Sequence, residues 1–295
     1  FEPFFTNSEI NAKVSELAIN TMYMDSQNNL WLGLVSGGLE RFDINDVEYI
    51  HYDSSSEPKF EADKCVISAL FEDRKGNIWI GTDRGVYVFD RERGKFRNIT
   101  GPDDEQMLTV RAFHNDENNN LWIGSRIGLY IYDLDTKKVS RHKPGNEGHY
   151  SISHESIQSI FEDKKGDIWI GSRDGVNFYC KNWAAFRNYS YYPNDSHFIN
   201  NPIIYSIYED DNQDLMIGTE YGGLNIYDHD EDIFKYYTHD PSDPKSISAN
   251  NIKIIKKGSE GYFWIGTHDY GLNRFNRETG EFKHYMCNPS DSNSL

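Results

Sequence analysis

The 295 residues carry 30 Lys and Arg against 47 Asp and Glu, a formal net charge of −17, which argues against non-specific binding to nucleic-acid phosphates or anionic membrane surfaces. An aromatic share of 15% beside 37% hydrophobic residues excludes a disordered chain, and the many Gly, Asn, Asp and Tyr residues favour strands joined by turns over helices. No apolar run reaches the roughly 20 residues of a membrane helix.

Taken in chain order, the sequence opens at Phe1, without a Met, and reads as a piece of a longer protein. Phe1-Glu2-Pro3-Phe4-Phe5-Thr6 looks like the outer strand of a unit whose other strands are missing, so 1–13 is expected to be a stray strand plus connection. One string then recurs six times: Leu30-Trp31-Leu32-Gly33, Ile78-Trp79-Ile80-Gly81, Leu121-Trp122-Ile123-Gly124, Ile168-Trp169-Ile170-Gly171, Leu215-Met216-Ile217-Gly218 and Phe263-Trp264-Ile265-Gly266. Successive Trp or Met positions are 48, 43, 47, 47 and 48 residues apart, a period within the range of propeller repeats, one four-stranded blade each.

Each copy reads as four strands. An apolar first strand ends in an acid (Asp25, Asp73, Asp116, Asp163, Asp210), expected to bind turn amides. The turn's left-handed position falls on Asn28, Gly76, Asn119, Gly166 or Gly261, with Gln213 as the exception. The Trp string is the second strand, apolar on both faces and therefore buried between blades. A third strand follows a Gly, as in Gly85 to Asp90, and a short aromatic fourth follows, as in Phe96 to Thr100. The repeated Trp residues read as inter-blade core rather than a carbohydrate platform. This gives an all-β chain: a β-propeller of four-stranded antiparallel blades, at about 14–52, 62–100, 107–143, 154–191, 201–238 and 249–287, with 288–295 leading to a further blade. A native ring of seven blades is favoured.

The combined pattern, Asp-x-x-Gly/Asn-x-Leu/Ile-Trp-Ile-Gly-Thr/Ser, then Gly-Leu/Val-x-x-Tyr/Phe-Asp, then Phe-x-x-Tyr, is clearest over Asp73 to Asp90 and Asp163 to Tyr179. It resembles the two-component regulator propeller repeat. That resemblance implies the periplasmic sensor region of a hybrid two-component sensor histidine kinase/response regulator of the Bacteroides type, an extracytoplasmic part of an inner-membrane protein. Kinase and DNA-binding output would lie outside this chain, which has no enzyme role of its own and needs no cofactor. The implied partners are an oligosaccharide ligand, further propeller domains of the same parent chain and a homodimer mate, with no nucleic acid and no membrane contact by this segment. Met216 for Trp, Cys180 for Asp, and Lys257-Gly258 for the acid pair depart from the pattern.

Ligand sites in ring folds favour the loops between strands two and three and the central mouth. Those loops carry Arg84, Arg126 and Arg173 at positions taken as equivalent, beside Tyr221, His268 and Tyr270. Arg forks match carboxylate or sulfate oxygens, and aromatic faces stack on sugar rings. The competing reading is that each Arg pairs with an adjacent acid such as Asp83 or Asp174. Asp228-His229-Asp230-Glu231-Asp232 lacks the Gly and Glu of a calcium loop, so no metal site is expected. Cys65, Cys180 and Cys287 fit no metal spacing. Catalytic motifs are missing, and a propeller glycosidase or lyase and a protein-binding scaffold stand as the other functions.

Overall fold

A turn with one residue in the left-handed region holds each repeat together at its start. Asn28, Gly76, Asn119, Gly166, Gln213 and Gly261 have φ between 62° and 82°, the conformation that Gly and Asn adopt at least cost. The acid three residues earlier fixes the turn. In five blades its Oδ1 accepts the N–H groups two and four residues on, as Asp73 does from Lys75 and Asn77, both at 2.9 Å. Asp25, Asp116, Asp163 and Asp210 do the same.

The computed structural model describes residues 17–44, 48–55, 60, 64–145, 151–180, 185–189, 191, 196–228, 231, 233–259 and 261–287. Blade 1 is β1 (Ile19–Met24), β2 (Asn29–Leu34), β3 (Leu39–Asp43) and β4 (Glu48–Tyr52). Blade 2 is β5 (Ile67–Glu72), β6 (Ile78–Thr82), β7 (Val86–Asp90) and β8 (Lys95–Ile99). Blade 3 is β9 (Val110–Asn115), β10 (Asn120–Ser125), β11 (Leu129–Asp133) and β12 (Val139–His142). Blade 4 is β13 (Ile157–Glu162), β14 (Ile168–Ser172), β15 (Val176–Cys180) and β16 (Ala185–Tyr189). Blade 5 is β17 (Ile204–Glu209), β18 (Leu215–Thr219), β19 (Leu224–Asp228) and β20 (Ile233–Tyr237). Blade 6 is β21 (Ile252–Lys257), β22 (Tyr262–Thr267), β23 (Leu272–Asn276) and β24 (Phe282–Tyr285). Every blade pairs its strands in sequence order, and the architecture is all-β, the four-stranded antiparallel blades of a β-propeller. The helical content among the described residues is one short 3-10 turn, Pro102–Asp104, so no helix there is long and apolar enough to cross a membrane. The expected stray strand (1–13), the connection 288–295, and His229, Asp230 and Asp232 of the acidic run lie outside the described residues.

The chain divides into two units, one ending at Arg141 and one beginning at His142. Blades 1–3 build the first and blades 4–6 the second. Within each, a blade's Trp or Met packs on the third strand of the next: Trp31 against Phe89 at 5.8 Å and Trp79 against Tyr132 at 5.4 Å between ring centroids. Trp169 sits with Leu215, Tyr227 and Phe234, and Met216 with Phe263, Phe275 and Phe282. The glycine ending each Trp string makes that approach possible. A Cβ on Gly81 would stand 2.7 Å from Val110 Cγ1, and one on Gly218 would stand 2.6 Å from Ile252 Cγ2. At Gly33, Gly81, Gly171 and Gly218 the first residue of the following inner strand fills the space a side chain would need.

Trp31, Trp79, Trp122 and Trp169 are core, as their apolar neighbours imply, whereas Trp264 is only partly buried; in those four the indole also has a polar anchor. Trp31, Trp79, Trp122 and Trp169 each donate from Nε1 to Oδ2 of their own turn Asp at 2.8–2.9 Å. Turn and core are thus one unit. A buried indole N–H finds its acceptor, and the carboxylate closing the turn is held by donors on both oxygens.

Candidate functional site

The two ends of a blade differ in kind. At the turn end the acids are consumed by structure, as described. Burial alone would raise the pKa of Asp25, but donors from Trp31, the Asn29 amide and Arg91 outweigh it and hold the carboxyl below its ordinary value. A cavity of about 210 Å³ opens there between blades 4 and 5, lined by Asp163, Asp167, Glu209, Trp169, Tyr189 and Tyr227 among others. Its Asp163 holds the turn and the indole, and its Glu209 accepts the Lys164 N–H at 3.1 Å.

At the opposite end lie the loops between strands two and three. In blades 2–6 the last residue of the second strand, Thr82, Ser125, Ser172, Thr219 or Thr267, ties its loop with a hydroxyl that donates to a glycine carbonyl three or four residues on. The next residue then docks on the segment entering the inner strand. The N–H groups of Val35, Asp83, Arg126, Arg173, Glu220 and His268 donate to the carbonyls of Ala18, Val66, Thr109, Ser156, Ile203 and Asn251 at 2.9–3.1 Å. Two residues after each of those carbonyls the inner strand slips register. The shift falls at Asn20, Ser68, Arg111, Gln158, Tyr205 and Lys253. A bulge of this kind takes one residue out of the ladder and re-aims its side chain.

Every blade therefore presents a bulge residue and a loop residue at one end, fifteen positions apart in all six. The pairs are Asn20/Val35, Ser68/Asp83, Arg111/Arg126, Gln158/Arg173, Tyr205/Glu220 and Lys253/His268. The turn end repeats Asp, Gly and Trp nearly unchanged, whereas these pairs share no chemistry from blade to blade. What the fold requires is constant, and the loop end is where the blades diverge.

Of the residues singled out from sequence, Arg126, Arg173 and His268 occupy the loop position itself. Tyr221 follows Glu220 and is 68% exposed, and Tyr270 lies two past His268 and is 55% exposed. Arg84 is corrected. Asp83, not Arg84, stands where Arg126 and Arg173 stand, because the Asp83 N–H makes the bond to Val66 and its carboxylate accepts the Val66 N–H at 3.0 Å. The competing reading, an adjacent acid paired with each arginine, is not seen among the described residues. Among the described residues none forms an ion pair with Arg84, Arg126 or Arg173; the Asp83 carboxylate accepts the Val66 N–H, and Asp174 donates its own backbone N–H to the Ser172 hydroxyl. His268 does have a carboxylate, Asp269 at 2.8 Å from Nδ1.

Sequence reading missed the bulge residues. Tyr205 donates its hydroxyl to Glu220 Oε1 at 2.9 Å, and Lys253 of the next blade places Nζ 3.4 Å from the Tyr205 ring centroid. In one of the two units this joins the ends of blades 5 and 6 in a row of ammonium, ring and carboxylate. The uniform spacing of fifteen residues was a signal present in the sequence.

Consecutively paired four-stranded blades, uniform at one end and divergent at the other, define a β-propeller of the kind that presents variable loops on a fixed scaffold. Within that class, residues 62–84 and 151–174 match the family model described as Two component regulator propeller. The matched stretches cover the first two strands of blades 2 and 4. No curated protein matches the sequence.

Among solved structures, the chain is similar to the extracellular domain of a hybrid two-component system from B. thetaiotaomicron, at 22% identity and a TM-score of 0.75, over 95% of this chain and 35% of that one. A second such domain from the same organism gives 24% identity and 0.68, over 87% and 33%. Virginiamycin B lyase from Staphylococcus aureus, at 10% identity and 0.68, is covered over 85% of its length by 92% of this chain. At these identities the likeness is one of fold. The chain spans about a third of the length of the two B. thetaiotaomicron domains.

Proposed function

We propose that this chain is a ligand-sensing propeller in the periplasmic region of a hybrid two-component sensor histidine kinase/response regulator. It binds an oligosaccharide at the loop ends of its blades and signals to kinase and DNA-binding parts outside the chain. The observation that carries this reading is the contrast between the two blade ends, with three arginines that pair with no acid among the described residues at the divergent end of a protein of charge −17. An unpaired guanidinium suits a planar oxyanion, and exposed tyrosines suit sugar faces. The likeness to extracellular domains of hybrid two-component systems supports an extracytoplasmic, non-enzymatic role. A ligand biases only states it binds differently, so the signal requires movement between this chain and further propeller domains or a homodimer mate.

Calorimetry of the chain against a panel of neutral and acidic oligosaccharides, with product analysis after overnight incubation, tests this. Binding without turnover is the expected result. Turnover would replace the sensor with a glycosidase or lyase, and silence across the panel would leave a protein-binding scaffold.

A further inference from the structure

At the turn end, two pairs of blades close over an arginine that the later blade supplies. Arg91 follows the last residue of β7 and turns back to blade 1. Its Nη2 lies 2.9 Å from Asp25 Oδ2 and 3.3 Å from Glu72 Oε1, and its Nε donates to the Gly76 carbonyl at 2.6 Å. Arg277 follows β23 and reaches Asp210 and Asp214 of blade 5. Blades 4 and 5, within one unit, present the same acceptors. Asp163, Glu209 and Gln213 stand in the repeat where Asp25, Glu72 and Gly76 stand. All three line the cavity of about 210 Å³, with Trp169, Tyr189 and Tyr227 among its aromatic walls.

The two carboxylates carry fewer donors than their counterparts. Asp25 Oδ2 accepts from Asn29, Trp31 and Arg91, whereas Asp163 Oδ2 accepts from Trp169 alone among the described residues. Glu209 is 8% exposed, and its Oε2 takes the Lys164 N–H as Glu72 Oε2 takes the Ser26 N–H. Its Oε1, the counterpart of the oxygen that Arg91 approaches, is bonded by no described residue. A buried carboxylate oxygen without a donor costs free energy that a cation recovers. In blade 3 arginine and glutamate are replaced together: buried Leu134 stands at the arginine position, and Asn115, at the glutamate position, donates to the Asp116 and Asn120 carbonyls. Blade 5 keeps the acid, and its residue at the arginine position is His229, outside the described residues.

We propose that the cavity between blades 4 and 5 binds a guanidinium group, carried by a small guanidino compound or by an arginine of a partner polypeptide. Glu209 Oε1 and Asp163 Oδ2 accept its N–H groups, and its flat faces lie against the aromatic walls. The volume is many times what one water needs and admits the group with a short alkyl stem. A planar fork suits acceptors on two blades better than an ammonium does, as the choice of arginine at positions 91 and 277 illustrates. The site lies at the end of the blades opposite the variable loops and is independent of the sugar-sensing reading.

The test is calorimetry of the full chain with butylguanidine, with its neutral isostere butylurea, and with a capped tripeptide carrying arginine at its centre. The parent is expected to bind butylguanidine about tenfold or more tighter than butylurea, the scale of one charge-assisted contact. Glu209→Gln keeps an acceptor for the Lys164 N–H and should weaken butylguanidine about tenfold or more without lowering the melting temperature. His229→Arg gives blade 5 the residue that blades 2 and 6 carry; it should raise the melting temperature and abolish butylguanidine binding, and it carries the test if Glu209→Gln melts early. Tripeptide binding as well assigns the site to an arginine of a partner polypeptide, and butylguanidine binding alone assigns it to a free guanidino compound. No binding of either guanidinium probe, butylurea bound as tightly as butylguanidine, or an affinity unchanged in both variants overturns the proposal.

Discussion

Arg277 Nη2 lies 2.6 Å from Asp214 Oδ2, and its Nε donates to Asp210 Oδ2 at 3.0 Å. Both acids belong to the preceding blade. In blades 1–3 the residue at the position of Asp214 is Asn, whose amide donates to the turn Asp, and the Trp indole supplies the second donor. Blade 5 has lost both, with Asp214 for Asn and Met216 for Trp. The guanidinium of blade 6 supplies two donors to this pair of buried carboxylates, and Arg91 of blade 2 likewise reaches Asp25 of blade 1, where the Asn and the Trp are both kept.

Removing that arginine should be costly. Arg277→Met takes the charged donors from two buried acids, an effect of about 3–5 kcal/mol for a broken buried pair. Urea denaturation checks this. In a background carrying Asp214→Asn and Met216→Trp, the same substitution should cost about 1 kcal/mol or less, because the acid of blade 5 then has local donors.

Gly81 is held to glycine by its neighbour and not by its φ. Gly81→Ala is expected to destabilise by about 1–3 kcal/mol, the usual scale of overpacking. A Val110→Ala partner substitution should recover part of that loss, since Val110 Cγ1 is the nearest obstacle. Thermal melts of the single and double variants read the coupling.

Gln213 sits at φ 68° in the turn position that other blades give to Gly or Asn. Gln213→Gly should therefore raise stability by about 0.5–1 kcal/mol, through relief of the left-handed strain. A melting temperature equal to or below the parent's would show that Gln213 makes a compensating contact.

The depressed pKa of Asp25 sets the sign of one pH effect. A carboxylate held below its ordinary value of 3.8 adds stability that is present above that value and lost as pH falls through the folded-state value. Trp31→Phe keeps an aromatic ring and removes the indole donor to Asp25. The loss should be about 1.5–3 kcal/mol at pH 7 and should shrink below pH 3.8, where the proton competes for the same oxygen. Urea denaturation of both proteins from pH 7 down to pH 3 measures the difference.

The blades were legible because their determinants are local. The turn acid, the left-handed Gly or Asn and the apolar string lie within ten residues of one another, and their recurrence names the repeat. The contacts between blades were not, because they join distant positions: Arg277 and Asp210 are 67 positions apart, and nothing near Gly81 shows that Val110 will face it. The site was half legible. Sequence marked Tyr221, His268 and Tyr270 by residue type, yet it misaligned Arg84 by one position and passed over Tyr205 and Lys253. Bulges are set by register between strands, and residue type alone does not reveal them.

The division of labour between the two blade ends is tested most directly by amide hydrogen exchange of the chain with and without a saturating bound oligosaccharide. Slower exchange confined to 203–207, 219–223, 251–255 and 267–271, with the turns at 73–77, 163–167 and 210–214 unchanged, is the predicted result. Protection centred on those turns, with the loops indifferent to the sugar, would contradict it.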